Sequence, residues 1–592
     1  MGFLLNTIIE IMKRSTLLLF VLITHATFAQ LPKFTTVHEL SDPYPVNANV
    51  WNKVDRGLKA SFVSIDESFL KSAAPSSTQL RTVWKGKAWR GEKVHTQVLL
   101  WSRFNVDNVK LTPSDLVDPK GNIIASNAVS ASFIRYVLTD HAGDLKSGCG
   151  IPKGLDTSLT ADLIDNITVL PIEARTSRPV WLSLNIPRNT VAGIYKGTLT
   201  VSATNERSIS LPYEIEVLNY TLPEPRKWSF HLDIWQNPYS VSRVHGVKVW
   251  SSEHFEAMKP YIKMLADAGQ KSITADIIYD PWNGQTYDIY QGMIKWVKKK
   301  DGTWSYDYTN FDKWVDFMMG FGIDKFINCY SMIPWNLKFY YYDEAAGKNA
   351  VLAAKPGEEA YNDHWKNMLI DFAKHLKEKG WFEKTTIAMD EREMEDMKKA
   401  IAVIKEADPA FKISLAGNDH PELYDELVDY CVALRYELSK DLISERREKG
   451  FTTTFYTCCT EPFPNTFTSS TYAEATWLPW YALNKDFDGY LRWAYNCWGP
   501  NPLQDTRVGT WLAGDGWFVY PGARTSIRFE RLIEGIQDFE KAKILKKHLL
   551  DQNKNEDLKK LNEVIRLFEF ETVTKDNAST FVNKAKEVLN SL

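Results

Sequence analysis

The feature that most constrains the fold is a regular alternation of strand-like and helical segments from residue 228 onward. The strand-like apolar runs are separated by segments with helical periodicity. In one of these segments, Phe255, Met258, Ile262 and Leu265 share one face of a predicted helix. Eight alternating units predict a (β/α)8 TIM-like barrel with insertions over residues 226–548. The eight predicted strands are 229–235, 273–279, 326–333, 385–389, 413–416, 430–436, 452–457 and 489–497.

The preceding part of the chain has a different pattern. Short strand-like runs follow one another between Gly, Pro, Asn and Asp, and long helical periodicity is nearly absent. This pattern predicts an N-terminal antiparallel β-sandwich over residues 30–222, followed by a linker that carries Pro223 and Pro225. Its clearest predicted strands are 93–101, 132–138, 180–186, 195–203 and 208–218.

The two ends of the chain carry further signals. Helical runs at 527–550 and 558–592 complete the barrel and predict a helical C-terminal extension over residues 549–592. At the other end, Lys13 and Arg14 precede a short apolar run and a small-residue cleavage site that ends at Ala29. This predicts a signal peptide over residues 1–29 and a periplasmic or secreted protein. We expect no lipoprotein anchor and no stable membrane insertion, because the first cysteine is Cys149 and the later apolar runs are short.

Composition narrows the classes of function. The formal charge of −3 gives no electrostatic basis for binding nucleic acid. The chain contains 21 Trp, 26 Tyr and 29 Phe, and such rings fill cores but also bind the apolar faces of sugars. No metal-ligand motif is visible, so we predict neither a metal nor a cofactor. The adjacent Cys458 and Cys459 are interpreted as small residues near a strand end, with a vicinal disulfide or metal binding as alternatives.

Candidate binding residues come from the strand ends, because a barrel of this kind places its active site at the carboxyl ends of its strands. Aromatic rings and polar groups recur there, for example Trp235 and Trp282 after the first two strands. Such a rim suits a neutral polyhydroxylated ligand, although any single Trp could instead belong to the core. The predicted substrate-binding residues are Asp233, Trp335, Asn418, Tyr436, Trp493, Tyr495 and Trp498.

Asp390 and Glu391 directly follow the fourth predicted strand. In one interpretation, Asp390 caps the next helix and Glu393 completes a capping box. In the other, both carboxyl groups face a catalytic pocket. Because neighbouring side chains on a regular strand point to opposite sides, the second interpretation requires the strand to end or bulge at this point.

The chain resembles glycoside hydrolase family 123 in this carboxylate pair, in its Trp-rich strand ends and in the order of signal peptide, β-sandwich and barrel. The resemblance implies an exo-acting, retaining β-N-acetylgalactosaminidase that uses substrate assistance. It implies that Asp390 holds the 2-acetamido group of the sugar and that Glu391 is the general acid/base. The expected partner is a glycan that ends in N-acetylhexosamine.

Three other interpretations remain open from the sequence. The enzyme could be a β-N-acetylglucosaminidase. It could instead be a two-carboxylate retaining glycosidase that uses Glu461 or Asp515 as nucleophile. In an interpretation from another class, the chain is a non-catalytic periplasmic glycan-binding protein in which Asp390 only caps a helix. The sequence leaves the oligomeric state open.

Overall fold

The computed structural model describes residues 36–140, 157–509 and 511–592, and His38–Leu592 form one compact unit. The predicted signal peptide lies outside the described residues. Strands are numbered β1–β24 in chain order. Within the described ranges, no helix has both the length and the apolar character needed to cross a bilayer.

The N-terminal region contains two sheets. The first sheet has the order β1-β3-β10-β7-β8, and the second has the order β2-β12-β11-β4-β9, with β5 and β6 attached at β11. The five strand segments predicted here are confirmed within β3, β7, β10, β11 and β12. The strands are β1 (Lys59–Val63), β2 (Trp84–Arg90), β3 (Lys93–Ser102), β4 (Val106–Pro113), β5 (Leu116–Val117), β6 (Ile123–Ile124), β7 (Val129–Asp140), β8 (Thr157–Ile164), β9 (Val169–Ile172), β10 (Thr176–Asn185), β11 (Gly193–Ser202) and β12 (Ile209–Thr221).

The two sheets share one hydrophobic core. On β12, Leu211, Tyr213 and Ile215 are buried at alternate positions, and they join Val98 and Leu182 of the other sheet in this core. The strand pairs are antiparallel except β2–β12, which is parallel. This parallel pair is an exception to the expected antiparallel pattern, and at Gly91 the chain turns from β2 in one sheet into β3 in the other.

The C-terminal region contains an eight-stranded parallel barrel that is nearly closed. Its order is β13-β24-β23-β22-β21-β20-β17-β14, and a parallel bridge between Leu232 and Gln270 joins the two edges. All eight predicted barrel strands are confirmed, and each runs through buried residues because helices cover the outside. They are β13 (His231–Ile234), β14 (Ser272–Asp276), β17 (Phe326–Tyr330), β20 (Thr385–Met389), β21 (Lys412–Gly417), β22 (Leu427–Ala433), β23 (Thr452–Tyr456) and β24 (Gly489–Arg492).

Two loops at the carboxyl end of the barrel build an additional four-stranded sheet. It has the order β16-β15-β18-β19 and packs on the helix Glu359–Lys379, where Trp296 stacks on His364 with ring centroids 4.6 Å apart. Its strands are β15 (Lys295–Lys298), β16 (Trp304–Asp307), β18 (Lys338–Asp343) and β19 (Lys348–Ala353). The sequence predicts insertions in the barrel but gives no sign of this sheet.

The long helix Ile527–Asp551 connects the two regions. On one side it packs closely on the barrel helix Tyr472–Lys485, because Gly535 has no side chain to push them apart. On the other side its charged groups reach the N-terminal sheets, with Lys541 Nζ 3.0 Å from Glu92 Oε1. The helices are Ala48–Trp51, Pro238–His245, Ser252–Asp267, Thr309–Gly320, Glu359–Lys379, Met394–Ala407, Lys440–Glu448, Tyr472–Lys485, Ile527–Asp551, Asn555–Ile565 and Ala578–Leu589.

Candidate active site

A cavity of about 270 Å³ lies at the carboxyl ends of the barrel strands. Its walls combine indole rings with three carboxyl groups, two cysteine residues and one guanidinium. The lining residues are Trp235, Trp282, Gln285, Trp335, Asp390, Glu391, Ala416, Arg435, Tyr456, Cys458, Cys459, Thr460, Leu491, Trp493, Trp511 and Asp515.

Asp390 and Glu391 both line this cavity. They can do so because β20 ends at Met389, so neither residue is in a regular strand. The next helix begins at Met394 with Glu393 at its N-cap, and no side chain caps it. Asp390 is therefore not a helix cap, and the capping-box interpretation is wrong.

The close approach of the next strand helps to place this pair. A Cβ atom at Gly417, the last residue of β21, would lie 3.3 Å from the Cα atom of Glu391. A larger residue at position 417 would press on the backbone of the Asp390–Glu391 turn.

The Asp390 carboxylate is buried and held from two sides. Its Oδ2 accepts a hydrogen bond of 3.1 Å from Trp335 Nε1, and its Oδ1 lies 2.9 Å from Arg392 Nη2. Burial raises the pKa of Asp390 to about 6, while Arg392 and the Trp335 hydrogen bond act in the opposite direction. Near neutral pH the carboxylate is mainly ionised and lies beside the open cavity.

Arg392 fixes this arrangement. Its Nε donates to the Ile333 carbonyl at 2.7 Å and its Nη1 donates to the Glu391 carbonyl at 2.8 Å. The guanidinium also lies over the Trp335 ring, 3.8 Å from the centroid. Sequence reasoning missed Arg392, and its only signal was its position directly after the carboxylate pair.

Tyr456 is a second residue that the sequence analysis missed. It is the last residue of β23, and its hydroxyl donates a hydrogen bond to Glu391 Oε1. Burial and the Glu391 carboxylate raise the pKa of Tyr456 well above its ordinary value, so this hydroxyl remains a donor. A single hydrogen bond across the barrel thus orients the Glu391 carboxyl group.

A third carboxylate, Asp515, lines another part of the wall. It accepts hydrogen bonds of 2.6 Å from Arg492 Nη2 and 2.9 Å from Trp493 Nε1. Burial raises the pKa of Asp515, and Arg492 opposes the shift. Trp511 packs beside Trp493 with ring centroids 5.6 Å apart and donates from Nε1 to the Gln285 carbonyl at 2.9 Å.

The predicted binding residues fall into three groups. Trp335 and Trp493 line the cavity. Asn418 and Tyr436 adjoin it, since both contact the lining residue Arg435: Tyr436 donates to Asn418 Oδ1 at 3.2 Å, and Arg435 Nη2 donates to the same oxygen at 3.4 Å. The third group, Asp233, Tyr495 and Trp498, lies outside the lining of the cavity.

The third group is buried for identifiable reasons. Asp233 faces the barrel interior, where Gln270 Nε2 and Asn328 Nδ2 donate to it at 3.3 and 3.4 Å. The Tyr495 hydroxyl donates to the Tyr261 carbonyl at 2.8 Å, and Trp498 Nε1 donates to the Val519 carbonyl at 2.7 Å. Both rings are fully buried in the packing around the barrel.

Glu461 and the paired cysteines lie together near the end of β23. Glu461 is 4% exposed and accepts a hydrogen bond of 3.2 Å from the Cys458 backbone N–H, outside the lining of the cavity. Cys459 is disulfide-bonded and Cys458 is a free thiol, so the two do not form a vicinal disulfide.

One group of acidic side chains has the spacing of a cation site in the described part of the chain: Glu437, Glu569 and Glu571. The Lys485 ammonium already lies 3.0 Å from Glu437 Oε1 and 2.6 Å from Glu569 Oε2. Lys485 thus supplies the positive charge that these carboxylates need.

A carboxylate-bearing, indole-lined cavity at the carboxyl end of a parallel barrel is typical of a glycoside hydrolase. The profile of the glycoside hydrolase 123 catalytic domain matches residues 235–545, and that of the glycoside hydrolase 123 N-terminal domain matches residues 62–203. No curated protein matches the chain.

Solved structures add a close likeness. A family 123 glycoside hydrolase from Clostridium perfringens, analysed for glycolipid glycan hydrolysis, is 29% identical with a TM-score of 0.83. The match covers 90% of this chain and 97% of that one. A Bacteroides ovatus GH5 xyloglucanase is 8% identical with a TM-score of 0.29, over 77% of this chain and 98% of that one. This chain belongs to glycoside hydrolase family 123.

Proposed function

We propose that the protein is an exo-acting, retaining β-N-acetylgalactosaminidase that works by substrate assistance. The observation that carries the proposal is the pair Asp390 and Glu391, whose carboxyl groups line one cavity with different surroundings. Asp390 is clamped by Arg392 and Trp335, whereas Glu391 accepts one hydrogen bond from Tyr456. Two carboxyl groups in different surroundings can divide two roles between them.

Asp390 acts on the acetamido group of the substrate. The acetamido oxygen attacks the anomeric carbon, while Asp390 accepts a hydrogen bond from the acetamido N–H and stabilises the positive charge of the oxazolinium-like intermediate. Arg392 and Trp335 keep the carboxylate ionised and in place before the substrate arrives. The enzyme itself then needs no nucleophile.

Glu391 moves the proton. It protonates the departing glycosidic oxygen in the first step and removes a proton from water in the second. The Tyr456 hydroxyl bonds one carboxyl oxygen, which leaves the other to face the scissile bond.

Asp515 recognises a sugar hydroxyl in this proposal. Its Oδ2 is buried and has no hydrogen-bond partner among the described residues, while Arg492 and Trp493 both bond Oδ1. A buried acceptor without a partner favours a ligand hydroxyl and disfavours a sugar that lacks it there. This supports selection between GalNAc and GlcNAc, which differ at the 4-hydroxyl.

The test is a panel of aryl glycosides. We expect release of the aryl group from β-GalNAc, less from β-GlcNAc and none from β-galactoside or β-glucoside. If the enzyme hydrolyses the β-galactoside but not the acetamido glycosides, the result would favour the two-carboxylate mechanism with Asp515 as nucleophile. Binding without release of sugar would favour the non-catalytic alternative.

The setting of the enzyme is part of the proposal. We infer that residues 1–29 direct the chain to the periplasm or outside the cell, and that the substrate is a glycan with a terminal β-GalNAc. The glycolipid glycan hydrolysis described for the Clostridium perfringens relative supports such a substrate.

We also assign residues 30–222 to a β-sandwich, 226–548 to a TIM-like catalytic barrel and 549–592 to a helical extension. Limited proteolysis can test this division.

A further inference from the structure

The four-stranded sheet beside the barrel presents a groove of about 810 Å³ on its outer side. Along β18 the side chains alternate: Phe339 is buried, whereas Tyr340 and Tyr342 are 38% and 36% exposed. Tyr279 joins them, with its ring centroid 5.0 Å from that of Tyr340. We call this surface the tyrosine groove: Tyr279, Gln291, Lys295, Tyr340, Tyr342 and Asn349.

The tyrosine groove has the chemistry of a carbohydrate-binding surface. The hydroxyl groups of Tyr279, Tyr340 and Tyr342 make no hydrogen bond within the described ranges. Gln291 and Asn349 add amide groups, and the one charge, on Lys295, lies over the Tyr342 ring at 5.9 Å from the centroid. Exposed rings with free hydroxyls and amides match the apolar faces and hydroxyl edges of a neutral sugar chain. A single cation gives little attraction for an anionic membrane or a nucleic acid.

The tyrosine groove lies close to the wall of the proposed catalytic cavity. Tyr279 lies three residues before Trp282, and Tyr340 lies five residues after Trp335, and both tryptophans line the cavity. The backbone N–H of Trp335 donates to the Pro281 carbonyl at 3.3 Å, which joins the two loops. Three residues span at most about 10 Å, so the groove begins close to where the cavity wall ends.

We propose that the tyrosine groove binds the neutral oligosaccharide to which the terminal sugar is attached. The inference rests on the proposed function, since it places the cleaved residue in the cavity and the remaining chain along Tyr279, Tyr340 and Tyr342. The rings stack on successive sugar faces and therefore contribute to affinity for long substrates without touching the reacting atoms.

The experiment compares a short and a long substrate in the double variant Tyr340→Ala/Tyr342→Ala. We expect kcat/KM for an aryl β-GalNAc glycoside to stay unchanged. For a trisaccharide of β-GalNAc linked to lactose, we expect kcat/KM to fall about tenfold, because two apolar contact areas are lost. The double variant Tyr340→Phe/Tyr342→Phe keeps both rings and should retain most of the activity.

The matched control is Phe104→Ala, which removes an exposed ring in the turn between β3 and β4 and should change neither rate. Equal losses on both substrates, or an unchanged rate on the trisaccharide, would overturn the inference.

A second measurement, calorimetric binding of free lactose at millimolar concentration, does not depend on catalysis. Wild-type protein should bind lactose and the alanine double variant should not. If wild-type protein fails to cleave the aryl glycoside, the proposed function fails while the lactose measurement still decides on the groove.

Discussion

Two carboxylates of the cavity wall are each held by the same two kinds of side chain in different settings. Asp390 is paired with Arg392 and Trp335, and Asp515 is paired with Arg492 and Trp493. In each case one carboxylate meets one guanidinium and one indole N–H. The likeness of the two groups makes their differences informative about function.

The difference lies in exposure and in the surrounding bonds. Trp335 is 44% exposed, so the Asp390 group opens to solvent and ligand. Asp515 and Arg492 are both about 1% exposed, and Arg492 Nη1 is also held by Asn465 Oδ1 at 2.7 Å. A fixed acceptor suits recognition of a hydroxyl group, whereas a carboxylate beside the open cavity suits stabilisation of a charge that appears during the reaction.

The largest effect on activity should come from substitution of Glu391, the proposed acid/base. For Glu391→Gln we expect a loss of roughly 10²–10⁴-fold on glycans, whose leaving groups need protonation. On activated aryl glycosides, formation of the intermediate should lose much less. Pre-steady-state release of the aryl group measures this step, and equal losses for good and poor leaving groups would contradict the assignment.

Asp390→Asn should reduce turnover of every acetamido substrate by roughly 10²–10³-fold, because charge stabilisation is needed whatever group leaves. Steady-state kcat on aryl β-GalNAc and on the β-GalNAc–lactose trisaccharide measures the loss. A loss confined to the poor leaving group would transfer the acid role to Asp390.

Asp515→Asn should have a smaller effect, about ten- to a hundredfold in kcat/KM, since one hydrogen bond to a charged group is lost. The more specific expectation is a reduced ratio of kcat/KM for β-GalNAc over β-GlcNAc. If turnover instead disappears for both sugars and a β-galactoside is a substrate of the wild type, Asp515 is the nucleophile and Glu391 remains the acid/base.

The smallest effect should be a shift in pH dependence. In the proposed mechanism Asp390 works as an anion, and because burial raises its pKa to about 6, kcat/KM should fall as pH decreases through that value. Arg392 lowers this pKa, so Arg392→Met should move the acidic limb to higher pH. A pH–rate profile measures the shift, and an unmoved limb would show that another group controls it.

The sequence predicted the barrel from local pattern, whereas the catalytic roles of Asp390 and Glu391 came from the family resemblance and stay a prediction. Buried parallel strands are continuous apolar runs, and Asp390–Glu391 ends one of them. Arg392 acts through Ile333 and Trp335 in the loop after β17, and Tyr456 reaches Glu391 from β23, so neither role is contained in a local pattern. The four-stranded sheet was missed because its strands come in pairs from two separate loops.

Neighbouring aromatic residues also show how far a site can be predicted from the sequence. Trp493 and Tyr495 both follow β24, yet Trp493 lines the cavity while Tyr495 packs against Phe529. Composition at a strand end does not distinguish a ring that faces a ligand from one that faces a helix. Once the strand has ended, even the alternation of side chains no longer applies.

In the proposed mechanism Asp390 holds the acetamido group of the sugar during the reaction. The most direct measurement is the affinity of a GalNAc-thiazoline, a stable mimic of the cyclised intermediate, for the wild type and Asp390→Asn. We predict tight inhibition of the wild type and a dissociation constant roughly 10²–10³-fold higher for Asp390→Asn, because such mimics use the contacts of the transition state. Unchanged thiazoline affinity in Asp390→Asn would contradict the account and assign the nucleophile to another strand.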